Sequence, residues 1–388
     1  MEGDKIVLTG FSRGAFTARS IAGLISDFGL LQKKNGCMEY FYYVFEDWQH
    51  AGSKRYKPKI LKDFPHFKLP APLDTTNYLR TYKQELLKEG ISRDVTIEAV
   101  GVFDTVGALG IPVHPLIGKL LPFVPTFLRF SYHFYDTNLS NHVRHAFQAL
   151  ALDEHRAAFA PAVWEKPPGN TTHLEQVWFS GVHSNIGGGY KDGSTADISL
   201  AWMMEKLRPF VTFDEEYLTQ QINKTKGYYG TQPRRDSHTR QSLAGKAWHW
   251  GLGILYNSAH FPGTLAGSYY WRTPGLYHRT HPSTGQPTEE LLSDTCEMIH
   301  PSVRIRKFKG KDCTGKRAYD PRALRDWPLD GKKWVYNGSD GNGYNSENNP
   351  KFLEESSLQG YEVQLLEQDK PMAAEVFSVE HDVGPARN

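Results

Sequence analysis

The sequence predicts an α/β fold with a mostly parallel sheet flanked by helices, on three observations. Apolar runs of strand length occur at Lys5–Thr9 (KIVLT), Val95–Phe103 (VTIEAVGVF) and Gln176–Phe179 (QVWF), separated by stretches of helical spacing. The middle run is almost unbroken, as a strand buried on both faces of a parallel sheet should be. Each run also stops at a turn that carries a chemically useful side chain: Ser12, Asp104 or His183. Right-handed crossovers would bring those strand ends to one edge of the sheet.

Along the chain, Lys5–Thr9 ends at Gly10, and AFTARSIAGLI after Gly14 places Phe16, Ala18, Ile21, Ala22, Leu24 and Ile25 at helical spacing. Further helices are expected around Tyr40–Gln49 and Tyr78–Lys88, and Ile198–Leu207 (ISLAWMMEKL) reads as another. Val143–His155 (VRHAFQALALDEH) also has helical spacing and is expected to be a helix. From Phe213 to Asp340 the composition shifts to Trp, Tyr, His, Gly and Arg without clean periodicity. The expected organisation is a core over 1–212, an irregular aromatic-rich accessory region over 213–340, and a loosely ordered tail over 341–388, with the turn-rich SDGNGYNSENNP (339–350) running across that last boundary.

Composition narrows the function. With 45 Lys+Arg against 43 Asp+Glu in 388 residues, the chain lacks the basic excess of a dedicated nucleic-acid binder. Hydrophobic residues at 39% are enough for a sizeable core. Cys37, Cys296 and Cys313 are odd in number and far apart, which implies neither a disulfide framework nor a zinc ribbon. The start MEGDKIVLTG lacks the features of a signal peptide, so a reducing, cytoplasmic setting is expected. Ile111–Phe130 is strongly apolar but interrupted by Pro112, Pro115, Pro122 and Pro125, with His114, Lys119 and Arg129 added. It reads as an irregular flap rather than a membrane span. Such a flap suits an acyl chain, peripheral contact with a membrane, or ordinary core packing.

The chemistry begins at Gly10-Phe11-Ser12-Arg13-Gly14, which fits G-x-S-x-G. In that elbow a serine on a strained turn projects its hydroxyl above the sheet, and small flanking residues let strand and helix touch. The bare pattern is weak, but a strand directly before it and a periodic helix directly after are the context the mechanism needs. A serine hydroxyl requires a base to take its proton, and a histidine base requires an acid to orient it. Asp104, at the end of an apolar strand, suits that acid, or else it caps the next segment. His183 follows the third run in GVHSNIGGGY and suits the base. The rival reading of that loop is a backbone nest of Gly187–Gly189 for an anion. Asp192 and Asp197 are alternative acids, Asp197 also being a candidate helix cap. Asp153, Glu154 and His155 read as capping or salt-bridge residues at a helix end.

Four blocks in order, GFSRGAFTAR, VFDTVGALG, HAFQALALDEHR and EQVWFSGVHSNIGGGY, resemble the uncharacterised α/β-hydrolase domain family that contains the catalytic domains of type VI secretion phospholipase effectors. The resemblance runs from about Lys5 to Leu207, and HSNIGGGY with IHPSVR (Ile299–Arg304) resembles its fungal branch. It implies a partial α/β-hydrolase-like fold and a Ser-Asp-His triad at Ser12, Asp104 and His183. Bacterial members commonly carry aspartate where this chain has Asn185. Members also usually have strands before the elbow, whereas this chain opens on the nucleophile strand. The Arg13 N–H would then be one oxyanion donor, and the loop that usually supplies the second would be missing. Two function classes follow. One is a serine hydrolase acting on a small-molecule or lipid ester with no metal or organic cofactor. The other is an impaired homologue that binds a ligand or protein.

Overall fold

A computed structural model describes residues 3–33, 38–53, 56–70, 74–106, 139–231, 247–258, 270–280, 287–338 and 351–381. The flap read at Ile111–Phe130, Cys37 and the turn-rich opening of the tail lie outside the described residues.

The architecture is α/β. An eight-stranded sheet holds β1 (Val7–Phe11), β2 (Ile97–Phe103), β3 (Val143–Ala151), β4 (His173–Phe179), β5 (Glu297–Ile299), β6 (Leu329–Asp330), β7 (Lys333–Val335) and β8 (Phe352–Glu355) in the order β1-β2-β3-β4-β5-β8-β7-β6. Neighbours from β1 to β8 run parallel, and only β8–β7 and β7–β6 are antiparallel. Among the described residues β1 is an outer strand.

The helices are α1 (Arg13–Phe28), α2 (Phe41–Gln49), α3 (Thr75–Lys88), α4 (His183–Ile186), α5 (Ser194–Leu207), α6 (Glu215–Thr231), α7 (Pro301–Lys309), α8 (Gly360–Glu367) and α9 (Lys370–His381). They cover both faces of the sheet, which is why the C-terminal parts of its central strands, VGVF of β2, ALA of β3 and VWF of β4, are apolar. Ala15, Ala18, Ala22 and Ile25 recur on one side of α1 and pack on Val100, Val102 and Ala146. On the opposite face Trp202 and Met203 of α5 pack against Phe147, Val177 and Phe179. Local chemistry sets the helix ends. The Asp74 side chain accepts the Asn77 N–H at 3.1 Å to open α3. His300 caps α7, with Pro301 in its first turn.

Two expectations are corrected. Val143–His155, expected to be a helix, contains strand β3, and the Asp153–His155 cluster therefore follows a strand end rather than a helix end. Ala146, Phe147, Ala149, Leu150 and Ala151 are all buried, so a central strand has no polar face to separate its pattern from a helix's. Gln148, the polar residue inside the run, is absorbed by the sheet. It lies opposite Gln176 and donates to its side-chain oxygen at 2.8 Å, while Gln176 in turn bonds the backbone of Trp164 on both sides. The stretch expected as a loose tail instead supplies β8, which pairs with β5, and helices whose Tyr361, Leu365, Leu366, Met372 and Val376 enter the same core as α5. No helix among the described residues is long and apolar enough to cross a membrane.

Candidate active site

Because β1, β2 and β4 are parallel, Ser12, Asp104 and His183 all follow strand C-terminal ends on one rim of the sheet. Ser12 sits between β1 and α1 with φ 59° and ψ −119°. A non-glycine residue held there costs about 1–3 kcal/mol, which the surrounding packing must offset. The packing is visible. A Cβ on Gly10 would lie 2.3 Å from the Gly14 carbonyl oxygen, so strand and helix touch backbone to backbone. The Ser12 N–H donates to Phe103 O at 3.0 Å, tying the turn to the end of β2, one residue before Asp104. Arg13 begins α1, so its N–H is among the first-turn amides that lack an intrahelical acceptor.

Asp104 is fully buried and has φ 40°. Its Oδ2 lies 2.6 Å from His183 Nδ1. A carboxylate only accepts, so Nδ1 is the donor in this contact. The His183 ring is walled by Phe11, with centroids 4.5 Å apart, and by Phe159 at 4.8 Å in an edge-on contact. Phe11 fits because position 187 is glycine: a Cβ there would meet the Phe11 ring at 2.1 Å.

Burial opposes ionisation of Asp104, but the Arg272 charge, the His183 hydrogen bond and the Ala151 N–H together hold its carboxyl below the usual range. Arg272 is 1% exposed and meets both carboxylate oxygens, Nη1 to Oδ1 at 3.2 Å and Nη2 to Oδ2 at 3.1 Å. Sequence reasoning missed it, since an arginine in WRTPG, 168 residues from its partner, carries no local signal.

The other candidate acids are engaged elsewhere. Asp192 accepts from the Ser194 N–H and hydroxyl, the Tyr229 hydroxyl and the Ile254 N–H. Asp197 accepts the Thr225 hydroxyl at 2.6 Å. Asn185 ties the loop to Ile254 O and accepts the Tyr256 N–H.

Glu154 supports the site from the end of β3. It pairs with Arg156 at 2.9 Å and accepts the backbone N–H of His155, Arg156 and His183. Burial pushes against its ionisation, but the Arg156 hydrogen bonds and charge prevail and bring it down to about 2. His300, in the IHPSVR block, has a structural duty. Its Nδ1 accepts the Ser302 N–H at 3.1 Å and its Nε2 faces Glu362 at 3.0 Å.

The sequence profile of the family described as "T6SS, Phospholipase effector Tle1-like, catalytic domain" matches residues 1–206, more than half of the chain. The chain belongs to this family. The matched stretch carries Ser12, Asp104 and His183, whereas Arg272 lies beyond it. A Saccharomyces cerevisiae protein described as "Uncharacterized protein YEL023C" is 32% identical over 160 residues, which cover 40% of this Tle1-like chain and 18% of the yeast protein. The alignment thus spans under a fifth of that relative's length. No solved structure matches the chain.

Proposed function

We propose that the chain hydrolyses carboxylic esters, phospholipid esters among them, with Ser12 as nucleophile, His183 as base and Asp104 as the acid that orients it. One observation carries the reading. The buried Asp104 carboxylate holds the Nδ1–H of His183 at 2.6 Å, on the rim where Ser12 occupies a strained turn. The family supplies the lipid part of the reading.

In the first half-reaction His183 Nε2 takes the Ser12 hydroxyl proton as Oγ bonds to the carbonyl carbon. The new imidazolium is stabilised by Asp104. The Arg13 N–H supports the oxyanion, a donor of a kind worth about 3 kcal/mol at the transition state. The imidazolium then protonates the departing alkoxide, leaving an acyl-serine. A water molecule repeats the cycle, His183 taking its proton, and releases the carboxylate. On this reading the 1–212 portion supplies the reacting groups and the 213–340 portion braces them through Arg272.

The test is turnover of short-chain nitrophenyl esters and release of fatty acid from phospholipid vesicles by wild type and Ser12→Ala. Wild-type turnover that vanishes in Ser12→Ala is the expected result. Equal background rates in both proteins would leave the binding-module reading in its place.

A further inference from the structure

The acid beside His183 is shared with a cation from a distant part of the chain. Asp104 Oδ1 accepts from the Ala151 N–H at 3.0 Å and from Arg272 Nη1 at 3.2 Å. Oδ2 accepts from His183 Nδ1 at 2.6 Å and from Arg272 Nη2 at 3.1 Å. A carboxylate offers about four lone-pair sites, so these four donors fill it. We propose that Arg272 is a positioning residue for the site. Its guanidinium fork locks the plane of the Asp104 carboxylate, keeps that fully buried carboxylate an acceptor, and thereby fixes the tautomer and the aim of His183. The catalytic consequence rests on the ester-hydrolase reading; the geometric one does not.

Three observations carry the proposal. First, Asp104 is fully buried, and a buried carboxylate with no counter-charge takes up a proton. A protonated Asp104 would donate to the imidazole rather than accept from it, putting the proton on the wrong ring nitrogen. Second, the fork is planar and two-pronged, a geometry that an ammonium cannot reproduce. Third, Arg272 also donates to Phe159 O at 2.8 Å, and the Phe159 ring lies edge-on against His183. The same guanidinium therefore sets both the acid and one wall of the base.

Arg272 is itself fixed by the segment around it. The Tyr270 N–H donates to His155 O at 2.9 Å, the Trp271 ring stacks on His155 at 5.2 Å, and the Gly275 N–H donates to Glu297 at 2.9 Å. Arg322 covers the Trp271 ring from 4.4 Å. These contacts lace the segment across the ends of β3 and β5. The site is therefore composite: residues beyond the family-matched stretch complete the environment of the acid within it.

The test compares wild type, Arg272→Met and Arg272→Lys in the full chain. The first readout is the far-downfield proton resonance of the His183 Nδ1–H, assigned by its loss in His183→Gln. The second is kcat and KM on a nitrophenyl ester. The expected result is a downfield resonance in wild type that is lost in Arg272→Met and partly kept in Arg272→Lys. Arg272→Met should lose about 100-fold in kcat, in line with a misplaced base, with KM nearly unchanged. Added guanidinium should restore part of the rate to Arg272→Ala but none to Asp104→Asn. An unchanged resonance in folded Arg272→Met overturns the proposal whether or not the protein turns over an ester. Absence of wild-type turnover with a resonance that still responds to Arg272 overturns the hydrolase reading alone. Should Arg272→Met fail to fold, Arg272→Lys decides, because it keeps the buried charge: a resonance identical to wild type overturns the proposal.

Discussion

The two glycines of the elbow should respond in opposite directions to the same added methyl group. A Cβ on Gly10 would stand 2.3 Å from Gly14 O, 2.4 Å from Gly14 C and 2.6 Å from Ala15 N, all of them backbone atoms. No side chain can rotate away, so the first turn of α1 must withdraw from β1 by roughly 0.7 Å or more in a close-packed interior. Overpacking that displaces backbone costs about 3 kcal/mol, the upper end of the usual range. A Cβ on Gly14 meets nothing within 4 Å, and Gly14 lies inside α1. There, alanine gains about 0.5–1 kcal/mol from its higher helix propensity and smaller loss of backbone entropy. Urea unfolding followed by circular dichroism checks the contrast: Gly10→Ala should lower the midpoint sharply, and Gly14→Ala should leave it equal or higher. Equal losses in both variants would refute the reading that strand and helix are in close backbone contact at Gly10 and open at Gly14.

Three further outcomes follow from buried groups and close contacts. Burial first, and then the Asp192 charge, outweigh the Thr225 hydrogen bond and raise Asp197 from 3.8 to about 6. Its contribution to stability is therefore complete below pH 3.8 and is lost as pH rises through 6. Asp197→Asn should accordingly be more stable than wild type by on the order of 2–3 kcal/mol near pH 8, the gap closing toward pH 4 in melting curves. Glu154 runs the other way. Lowered from 4.5 to about 2, it stabilises the fold above pH 4.5 and ceases to as pH falls through 2. Glu154→Gln should then cost about 3 kcal/mol at pH 7, with the two stability curves converging only in strong acid. Gly187→Ala would push the Phe11 ring, which rests 4.5 Å from the His183 ring. Turnover should fall by on the order of tenfold to 100-fold. Phe11→Leu in the same chain should recover part of it, and a double variant no better than Gly187→Ala would count against steric transmission through Phe11.

How far the sequence reveals this molecule depends on whether the signal is local. The strand, turn and helix around Ser12 are legible because KIVLT, the G-x-S-x-G turn and the periodic run after it lie within a single short window. Val95–Phe103 and Gln176–Phe179 are legible as strands for the same reason: short apolar runs with sharp ends at Asp104 and Gly181. Val143–Ala151 is not, because burial on both faces erases the alternation that marks a strand, and Gln148 reads as a polar helix position until Gln176 is seen opposite it. The helices over Gly360–His381 follow a turn-rich stretch and look like tail, since their apolar residues join a core built with α5 and other segments distant in the sequence. Arg272 is the extreme case. Its partner is 168 residues away, and only the folded chain brings the fork to the carboxylate.

The most direct measurement on the central claim is covalent labelling with a fluorophosphonate, with the modified residue mapped by peptide mass spectrometry. A Ser12 nucleophile should give a single adduct on its Oγ, abolished in His183→Gln and strongly slowed in Asp104→Asn. A folded wild-type protein that takes no label, or takes it on another residue, would contradict that claim.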